Sequence, residues 1–430
     1  MCKPFIHKRF QVLIIKKVFM NNNFSITTLG CKVNQAESSS LAERLLAQGW
    51  QETAGGTAFL FTCTVTANAA RQSRQMARRL ARAHEKVVVS GCDVQVNPEK
   101  YADFVLLPRA RLAGLEYQQA GAVWPAPDSG PWVPGVRKPS PRHTRGQLKV
   151  QDGCDAHCAY CIVPTARGKP RSLSLLKACA AFISQGRAGA LEVVLSGIHL
   201  GRYQNGPYAH SLTLLLESLL KVHARPRLRL SSLEANEISD ELLDMMAENR
   251  RICPHLHIPL QSGSDRVLEA MGRPYSAALF AGKVEAAAAR VPDICIGADV
   301  LVGLPGETEA EFRKTFELLQ QLPVHYMHVF PYSPRTGTRA ALMQNRAAVE
   351  DVRQRALAIR QLGQEKWRKF LEGQKHGIRM VLAESNRSGR AENYCPVRMP
   401  AGTVAGAMYR MRITGMGSNE KQPQLNAVLE

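Results

Sequence analysis

The chain has 430 residues, of which 45% are hydrophobic, and this size suffices for two or three globular domains. Its 56 lysine and arginine residues outnumber its 36 aspartate and glutamate residues by 20. For a soluble protein this surplus predicts a polyanionic partner, with nucleic acid as the first candidate and acidic membranes as the second. Eleven cysteines, an odd number, argue against a secreted disulfide scaffold and indicate the reducing, cytoplasmic compartment.

Residues 1–21 are expected to be an N-terminal extension, or in part untranslated, because Met20 offers a second start. Their apolar run at 10–19 is short and contains Lys16 and Lys17, so it predicts no membrane span. It also lacks a small-residue cleavage site, so we expect no signal peptide and no membrane partner.

Residues 22–124 alternate between strand-like and helix-like segments, which predicts a small parallel α/β domain. Strands are predicted at 24–28, 58–62 and 87–90, and helices at 38–48 and 67–84.

A cysteine follows each of these three strands: Cys31, Cys63 and Cys92. Ligands bind at the carboxyl ends of strands in open α/β sheets, so the three thiols can converge although about thirty residues separate them. Ordinary buried cysteines are the alternative for any one of them. The placement of all three cysteines after a strand favours a shared binding site.

The helix predicted at 67–84 has a basic face, because its arginines recur at spacings of three and four residues. Such a face is either solvated or contacts phosphates. The residues are Arg71, Arg74, Arg78, Arg79 and Arg82.

Residues 125–143 contain six prolines, a density that forbids a regular helix or a central strand. We expect a partly extended linker with a basic end.

Residues 144–372 repeat a strand–loop–helix unit, which predicts a parallel sheet curled into a partial (β/α)6 barrel. Strands are predicted at 147–151, 192–196, 228–232, 255–259, 296–301 and 325–330, with helices such as 172–185 and 277–290 between them. Glycine and polar residues lie near the strand ends, at the face where barrel enzymes build their active sites. They include Gly197, Glu234, Gln261, Asp299 and Gly303.

After the first barrel strand, Cys154, Cys158 and Cys161 lie on one loop between Gly153 and Pro164. Three thiolates suit zinc or an iron–sulfur cluster. A [4Fe–4S] cluster held by three cysteines keeps one iron without a protein ligand. Zinc would need a fourth ligand, and His157 lies between the thiols with little room to supply it.

Residues 373–430 follow a charged helix and contain short strands with turn residues, which predicts a small antiparallel β-barrel of the oligonucleotide-binding kind. A dimerisation or packing module is the alternative.

The CxxxCxxC spacing, with Tyr160 before the third cysteine, resembles the radical S-adenosylmethionine (SAM) superfamily. The segments 28–35, 256–264 and 328–335 resemble one of its families, the methylthiotransferases, and within it the branch that acts on N6-threonylcarbamoyladenosine beside the tRNA anticodon. Residues 391–398 resemble the TRAM domain of that family. The resemblance implies a methylthiotransferase α/β domain, a radical SAM barrel and a C-terminal TRAM barrel.

This resemblance implies two [4Fe–4S] clusters and SAM as cofactors and tRNA as the substrate. Cys154, Cys158 and Cys161 would hold the catalytic cluster that cleaves SAM to a 5′-deoxyadenosyl radical, and a second cluster would carry or activate the inserted sulfur. A methylthio group would replace hydrogen at C2 of the adenine at position 37. The second set of ligands is Cys31, Cys63 and Cys92. A sulfur donor and an electron donor are also required, and the sequence identifies neither.

Five residues are expected to contact SAM. Gly197 and Gly303 would allow close approach of the backbone, and Glu234, Gln261 and Asp299 would bind the ribose or the amino acid part.

The sequence departs from the family at Phe61, where asparagine is expected, and at Asp93, where a small aromatic-containing segment is expected. Both lie beside cluster ligands, so the hydrogen bonds to the sulfurs can differ. The five remaining cysteines are assigned to packing: Cys2, Cys179, Cys253, Cys295 and Cys395.

Other functions remain open. The same chemistry acts on isopentenyladenosine in tRNA or on a ribosomal protein, and a non-catalytic iron–sulfur protein that binds RNA is a further alternative.

Overall fold

The computed structural model describes residues 22–116, 125–140, 143–204, 212–222, 225–417 and 423–430. The predicted extension at 1–21 lies outside these ranges, as do residues 117–124, 141 and 142 of the predicted domain and linker. Within the described ranges no helix is long and apolar enough to cross a membrane.

The first domain is a five-stranded parallel sheet with the strand order β2-β1-β3-β4-β5. Its central strand is buried on both faces: Phe59 and Phe61 pack on one side, Ala58 and Leu60 on the other, as is usual for parallel sheets. The elements are β1 (Asn23–Thr28), α1 (Lys32–Ala47), β2 (Gln51–Glu52), β3 (Thr57–Thr62), α2 (Ala67–Ala81), β4 (Lys86–Gly91), α3 (Cys92–Val96), β5 (Val105–Leu106) and α4 (Arg109–Leu112).

Helix α1 begins at Lys32, six residues before the helix start predicted at 38. The polar segment between looks like a loop in the sequence. The structure buries Asn34 and Glu37 in it, because both bind buried arginines from elsewhere in the chain.

The second unit confirms the predicted (β/α)6 architecture. Strands β7, β10 and β11 are parallel, as are β12, β13 and β14, and a bridge between Leu228 and Ile252 links the two groups. The elements are β6 (Val136–Arg137), β7 (Gly146–Lys149), β8 (Gln151–Asp152), α5 (Val163–Arg167), β9 (Arg171–Ser172), α6 (Leu175–Arg187), β10 (Glu192–Ser196), α7 (Leu212–Lys221), β11 (Arg227–Leu230), α8 (Asp240–Glu248), β12 (His255–His257), α9 (Asp265–Met271), α10 (Ala277–Arg290), β13 (Cys295–Val302), α11 (Glu309–Gln321), β14 (Tyr326–Pro331) and α12 (Val349–Glu372).

The two faces of the barrel strands differ in character. In β13, Ile296, Ala298, Val300 and Val302 belong to the apolar core that packs against the helices. Alternate residues of a strand point to the opposite face, so the interior is lined by groups such as Asp299, which carries charge.

Strand β6 belongs to the proline-rich segment predicted as a linker. It pairs antiparallel with β7 and therefore forms an edge of the barrel sheet. The backbone of Val136 also exchanges two hydrogen bonds with the Ser40 hydroxyl of α1, at 2.7 and 2.9 Å. The segment thus ties the first domain to the barrel.

The C-terminal unit is a closed five-stranded β-barrel with the order β15-β16-β17-β19-β18, which confirms the predicted small barrel. Its strands are β15 (Ile378–Ala383), β16 (Ser388–Ala391), β17 (Pro396–Arg398), β18 (Met408–Met416) and β19 (Leu425–Leu429).

This small barrel packs against the amino ends of the large barrel's strands. Arg227 donates to the carbonyl of Met380 at 2.7 Å, and Arg229 donates to that of Ala391 at 3.1 Å. His255 stacks on Tyr394 with 4.2 Å between ring centroids.

Candidate functional site: two sets of three cysteines

The structure brings Cys31, Cys63 and Cys92 together. Strands β1, β3 and β4 are neighbours in the sheet, and each cysteine follows the carboxyl end of its strand. Burial, together with the neighbouring charges of Cys92 and Cys31, raises the pKa of the Cys63 thiol to about 11. The three sulfurs therefore lie within electrostatic range of one another.

Two glycines allow this approach of the three loops. At Gly30, with φ at +94°, an added Cβ would lie 2.9 Å from the Cβ of Cys63 and 3.0 Å from its sulfur. At Gly91, also at +94°, a Cβ would lie 2.5 Å from the backbone nitrogen of Thr62. A side chain at either position would push neighbouring cysteine loops apart.

Gly91→Ala is expected to destabilise the fold by about 1–3 kcal/mol from the backbone conformation alone, and by more through its overlap with the backbone of Thr62. Chemical denaturation of the protein measures this. Gly282→Ala is the matched control: Gly282 lies inside helix α10 with no atom within 4 Å of an added Cβ, so alanine there is expected to stabilise by about 0.5–1 kcal/mol. Equal effects of the two substitutions would contradict the role of Gly91.

The two departures from the family pattern have structural explanations. Phe61 is fully buried in the apolar core of the sheet. Asp93 is buried and accepts hydrogen bonds from Thr64 at 2.9 Å and Tyr101 at 2.7 Å, and it pairs with Arg74 at 3.1 Å. Asp93 therefore organises the loop after β4.

The second set, Cys154, Cys158 and Cys161, lies on the loop after β8. The amide of Ala159 donates to the carbonyl of Met271 at 2.7 Å, and the amide of Cys154 donates to that of Gly168 at 3.0 Å. Burial, together with the neighbouring charges of Cys158 and Cys154, raises the pKa of Cys161 to about 12. Burial likewise raises the pKa of Cys158, so a metal that binds Cys158 and Cys161 displaces protons.

Nitrogen donors from other elements contact the sulfurs. Arg273 donates to the sulfur of Cys158 at 3.2 Å, and His199 Nδ1 lies 3.4 Å from that of Cys154. Arg167 donates from Nε to the sulfur of Cys92 at 3.3 Å. Such contacts stabilise thiolates and adjust the properties of a bound metal centre.

Arg167 connects the two sets of cysteines. It closes helix α5, six residues after Cys161, and reaches across the domain boundary to Cys92. Its other nitrogens donate to Asn34 at 2.6 Å and to Asp152 at 3.0 Å. Asp152 in turn precedes the loop of the second set and accepts from the amide of Gly153 at 2.9 Å.

Arg167 belongs to a fully buried group of five charges, in which two carboxylates face three cations. Arg109 bonds to Glu37 at 2.9 Å and to Asp152 at 2.7 Å. Lys149 bonds to the same two carboxylates at 2.6 and 2.8 Å. This buried ion group spans the first domain and the barrel. None of these five residues was predicted from the sequence to form such a group; the position of Arg167 directly after the cysteine loop was the available signal.

The donor sets fit [4Fe–4S] clusters. Each site offers three thiols on glycine-containing loops with nitrogen donors beside them, as a cluster with one open iron requires. The other described cysteines lie elsewhere. Cys179 is half-buried on α6, and Cys253, Cys295 and Cys395 are buried in the protein core.

Two of the predicted SAM contacts lie beside the second set of cysteines. Glu234 accepts from Arg273 at 2.8 Å, and this arginine also contacts Cys158. At Gly197 an added Cβ would lie 3.0 Å from the Gln151 side chain.

Of the other three predicted contacts, Gln261 and Gly303 follow β12 and β13, and Asp299 lies within β13. Gln261 has φ at +65°, and its amide donates to the carbonyl of Asp299 at 2.8 Å. The amide of Gly303 donates to the Glu307 carboxylate at 2.7 Å. A Cβ added at Gly303 would overlap Val352 of α12. Packing alone therefore requires glycine at 303.

The carboxylate of Asp299 has two histidine neighbours that the sequence analysis overlooked. His257 Nε2 lies 2.9 Å and His328 Nδ1 lies 3.3 Å from its Oδ1. Burial alone would raise the pKa of Asp299, but these two contacts hold it well below its usual range.

The segment after β14 fastens the first domain over the barrel face. The Ser333 hydroxyl accepts from the amide of Ala67 at 3.0 Å, and Arg335 donates to the Thr64 hydroxyl at 2.5 Å. Thr64 follows Cys63 directly. The barrel thus holds the loop of one set of cysteines next to the other.

The arginines of α2 divide into two groups. Arg74 is bound to Asp93, whereas Arg71, Arg78, Arg79 and Arg82 are exposed. The exposed group can meet a polyanion.

Two family models match the chain. Residues 148–319 match the radical SAM superfamily, and residues 23–106 match a family described as uncharacterized protein family UPF0004.

Curated relatives match 74% to 90% of the chain. A threonylcarbamoyladenosine tRNA methylthiotransferase MtaB from Aquifex aeolicus is 33% identical over 90% of this chain and 98% of its own length. The protein of the same name from Bacillus subtilis is 34% identical over 74% of this chain and 75% of its own length. A tRNA-2-methylthio-N(6)-dimethylallyladenosine synthase from Oleidesulfovibrio alaskensis is 30% identical over 84% and 83%.

Among solved structures, the radical SAM methyltransferase TsrM from Kitasatospora setae superposes with a TM-score of 0.54 at 15% sequence identity. The match covers 72% of this chain and 73% of that one. This similarity shows a shared fold.

Proposed function

The chain belongs to the threonylcarbamoyladenosine tRNA methylthiotransferase family, and from this premise we propose how its own residues perform that reaction. The product is N6-threonylcarbamoyladenosine at position 37 of tRNA with a methylthio group in place of the hydrogen at C2. The observation that carries the proposal is the pair of three-cysteine sites joined through Arg167.

In this proposal Cys154, Cys158 and Cys161 hold one [4Fe–4S] cluster and Cys31, Cys63 and Cys92 hold the other. When bound, these clusters and SAM supply the radical, the methyl group and the sulfur.

The remaining residues orient these groups. Arg273 and His199 stabilise the thiolates of Cys158 and Cys154 at 3.2 and 3.4 Å. Glu234 fixes Arg273 by accepting from its other terminal nitrogen at 2.8 Å. Arg167 stabilises the thiolate of Cys92 from the barrel side of the interface.

SAM is proposed to lie against Gly197, Glu234, Gln261, Asp299 and Gly303. What supports this is that Gly197, Glu234, Gln261 and Gly303 follow barrel strands, while Asp299 lies within β13 and faces the barrel interior. Glu234 has the strongest support, because Arg273 links it to Cys158.

The tRNA is proposed to bind to the C-terminal barrel and to the exposed arginines of α2, in the cytoplasm. Support comes from the net charge of +20 and from the oligonucleotide-binding character of small β-barrels. Such phosphate contacts weaken as salt rises.

Mass spectrometry of tRNA nucleosides tests the function. Cells that lack the gene are expected to lose 2-methylthio-N6-threonylcarbamoyladenosine, and restoring the gene should return it. If only 2-methylthio-N6-dimethylallyladenosine changes, the chemistry is correct and the substrate is wrong. If neither nucleoside changes, the substrate is not adenosine 37 of tRNA.

A further inference from the structure

Strand β14 presents a row of rings to the barrel interior. Met327 and Val329 pack against the apolar core on the side of the helices, so Tyr326, His328 and Phe330 point to the opposite, inner face. Barrel interiors are normally filled by side chains. Nevertheless, 56% of the His328 side chain and 42% of Phe330 are exposed. Solvent therefore reaches the inner face of this strand.

The first ring of the row is held in a fixed position. The hydroxyl of Tyr326 lies 2.8 Å from Nε2 of His255 and 3.1 Å from Nδ1 of His257. The ring of Tyr326 lies across Gly297 of β13, where an added Cβ would overlap it. Glycine at 297 is therefore needed for Tyr326 to occupy this place.

The second ring, that of His328, is held by two neighbours. It stacks on His257 with 4.9 Å between ring centroids and 29° between ring planes. Its Nδ1 lies 3.3 Å from Oδ1 of Asp299, the same oxygen that contacts His257 at 2.9 Å. These contacts orient the ring, and more than half of the side chain still faces solvent.

Phe330 ends the row. Among the residues that the structure describes, no other ring stacks on it. A single exposed apolar side chain on an outer surface would need no explanation. Here an exposed phenyl ring and an exposed imidazole share one inner face, about 7 Å apart along the strand. One flat ligand can therefore contact both.

The chain after β14 contacts the loops of both cysteine sets. Arg335 donates to Thr64 on the loop of one set. The amide of Ala340 donates to the carbonyl of Ala159 on the loop of the other set, at 2.8 Å. In addition, β14 is the edge strand of its sheet. The exposed rings therefore border the opening of the partial barrel, close in the chain to segments that contact both cysteine sites.

The proposed substrate needs a surface of this kind, so the inference rests on the proposed function. An enzyme that acts on a ring atom of a base takes the base out of its stack in the nucleic acid. Aromatic side chains replace the lost stacking in proteins that bind unpaired bases. Every base has a π-face, so such stacking positions a base without identifying it.

We propose that Phe330 and His328 form the surface on which the base of nucleotide 37 stacks when it leaves the anticodon loop. Asp299 and His257 hold the imidazole of His328 in place for this contact. The surface contacts the ring of the base and not its N6 substituent. It therefore positions the adenine and does not distinguish one modified adenine from another.

Binding of anticodon stem–loop RNAs to the reconstituted holoenzyme tests this assignment. The RNAs carry adenosine or an abasic nucleotide at position 37 and are otherwise identical. Wild-type protein is expected to bind the adenosine RNA about 5- to 150-fold more tightly, the range expected for one base stacked on an aromatic side chain. Phe330→Leu keeps an apolar side chain without the ring and is expected to lose most of this ratio. Phe330→Tyr is expected to keep it.

His328→Ala is a second, independent variant, and it too is expected to lower the ratio. Phe316→Leu is the matched control, because it makes the same chemical change at a partly buried ring on α11, outside the barrel interior. It should leave the ratio intact. Iron content and the electron paramagnetic resonance spectrum report whether each variant keeps its clusters. If Phe330→Leu loses them, the ratios of wild-type protein and His328→Ala decide.

Two results would overturn the proposal. One is equal affinity of wild-type protein for the two RNAs. The other is an unchanged ratio in both Phe330→Leu and His328→Ala; equal weakening of the two RNAs would place the rings against another part of the RNA. Methylthiolation of a stem–loop that carries N6-threonylcarbamoyladenosine is followed in parallel with wild-type protein. Its absence would refute the proposed function, while the ratio of affinities still reports on the two rings.

Discussion

Cys158→Ala is expected to abolish SAM cleavage and methylthiolation together, whereas Cys63→Ala is expected to abolish methylthiolation alone. The reason is that the two residues belong to different sets of cysteines, on the barrel loop after β8 and on the loop after β3. Removing one of three thiolates opens a second coordination position and destabilises that centre. The other set retains all three of its thiols.

Anaerobically reconstituted protein allows both reactions to be measured. Formation of 5′-deoxyadenosine from SAM is expected to depend only on the set that contains Cys158. Formation of the methylthiolated nucleoside in digested tRNA is expected to depend on both sets. Each variant is expected to keep about half of the iron of the wild type. Cys179→Ala is the control, because this half-buried cysteine on α6 belongs to neither set.

The outcomes separate the assignments. Methylthiolation that survives Cys63→Ala would remove this residue from the site. Loss of SAM cleavage in the same variant, with its iron at half, would show that the two sites do not act separately.

Arg167→Met is expected to lower the free energy of unfolding by about 3–5 kcal/mol. Arg167 is almost fully buried, and it bonds to Glu37 at 3.1 Å and to Asp152 at 3.0 Å. Methionine occupies a similar volume without the charge, so the two carboxylates and the sulfur of Cys92 lose a donor. Denaturant unfolding of the protein measures the change.

Arg187→Met is the matched control for that substitution. Arg187 is exposed at the last residue of α6, and surface substitutions of this kind change stability by no more than about 0.5 kcal/mol. Similar losses of unfolding free energy in Arg167→Met and Arg187→Met would show that the buried ion group makes no specific contribution to stability.

The buried ion group also predicts a pH dependence. Burial alone would raise the pKa of Glu37, but Arg109, Arg167 and Lys149 outweigh it and lower the pKa from 4.5 to about 2. A carboxyl with a depressed pKa stabilises the fold above its unfolded value and loses this contribution as pH falls through the folded one. Wild-type protein is therefore expected to lose stability between about pH 4.5 and 2, and Arg167→Met to lose less over that interval.

Arg167→Met also changes the environment of Cys92. An N–H donor to a cluster sulfur raises the reduction potential, so a cluster at Cys31, Cys63 and Cys92 is expected to have a lower potential in the variant. Redox titration followed by electron paramagnetic resonance measures it. An unchanged potential would show that Arg167 acts on stability alone.

Elements with a strong local signal were predicted closely. The predicted strand at 192–196 is β10 and the predicted helix at 277–290 is α10, both with the same bounds in the structure. Hydrophobic periodicity specifies such elements, because their buried face is fixed by neighbours within a few turns of the chain.

Elements stabilised by distant partners were predicted poorly. The first turns of α1 contain Asn34 and Glu37, whose polar character indicates a loop. Strand β19 lies outside the segments 377–400 and 408–416 in which short strands were predicted; it completes the small barrel by pairing with β17 and β18. In both cases the stabilising contacts lie outside the local sequence.

The sequence by itself determined the barrel, the family and the close spacing of Cys154, Cys158 and Cys161, because strand periodicity and short ligand spacings are local properties. Only the tertiary structure decided that Arg167 reaches Cys92 and that Asp299 contacts His257 and His328. Glu37 meets Arg109, Lys149 and Arg167 across 72, 112 and 130 residues. Charges attract through space whatever their separation along the chain, so the sequence supplied these residues and the fold chose their partners.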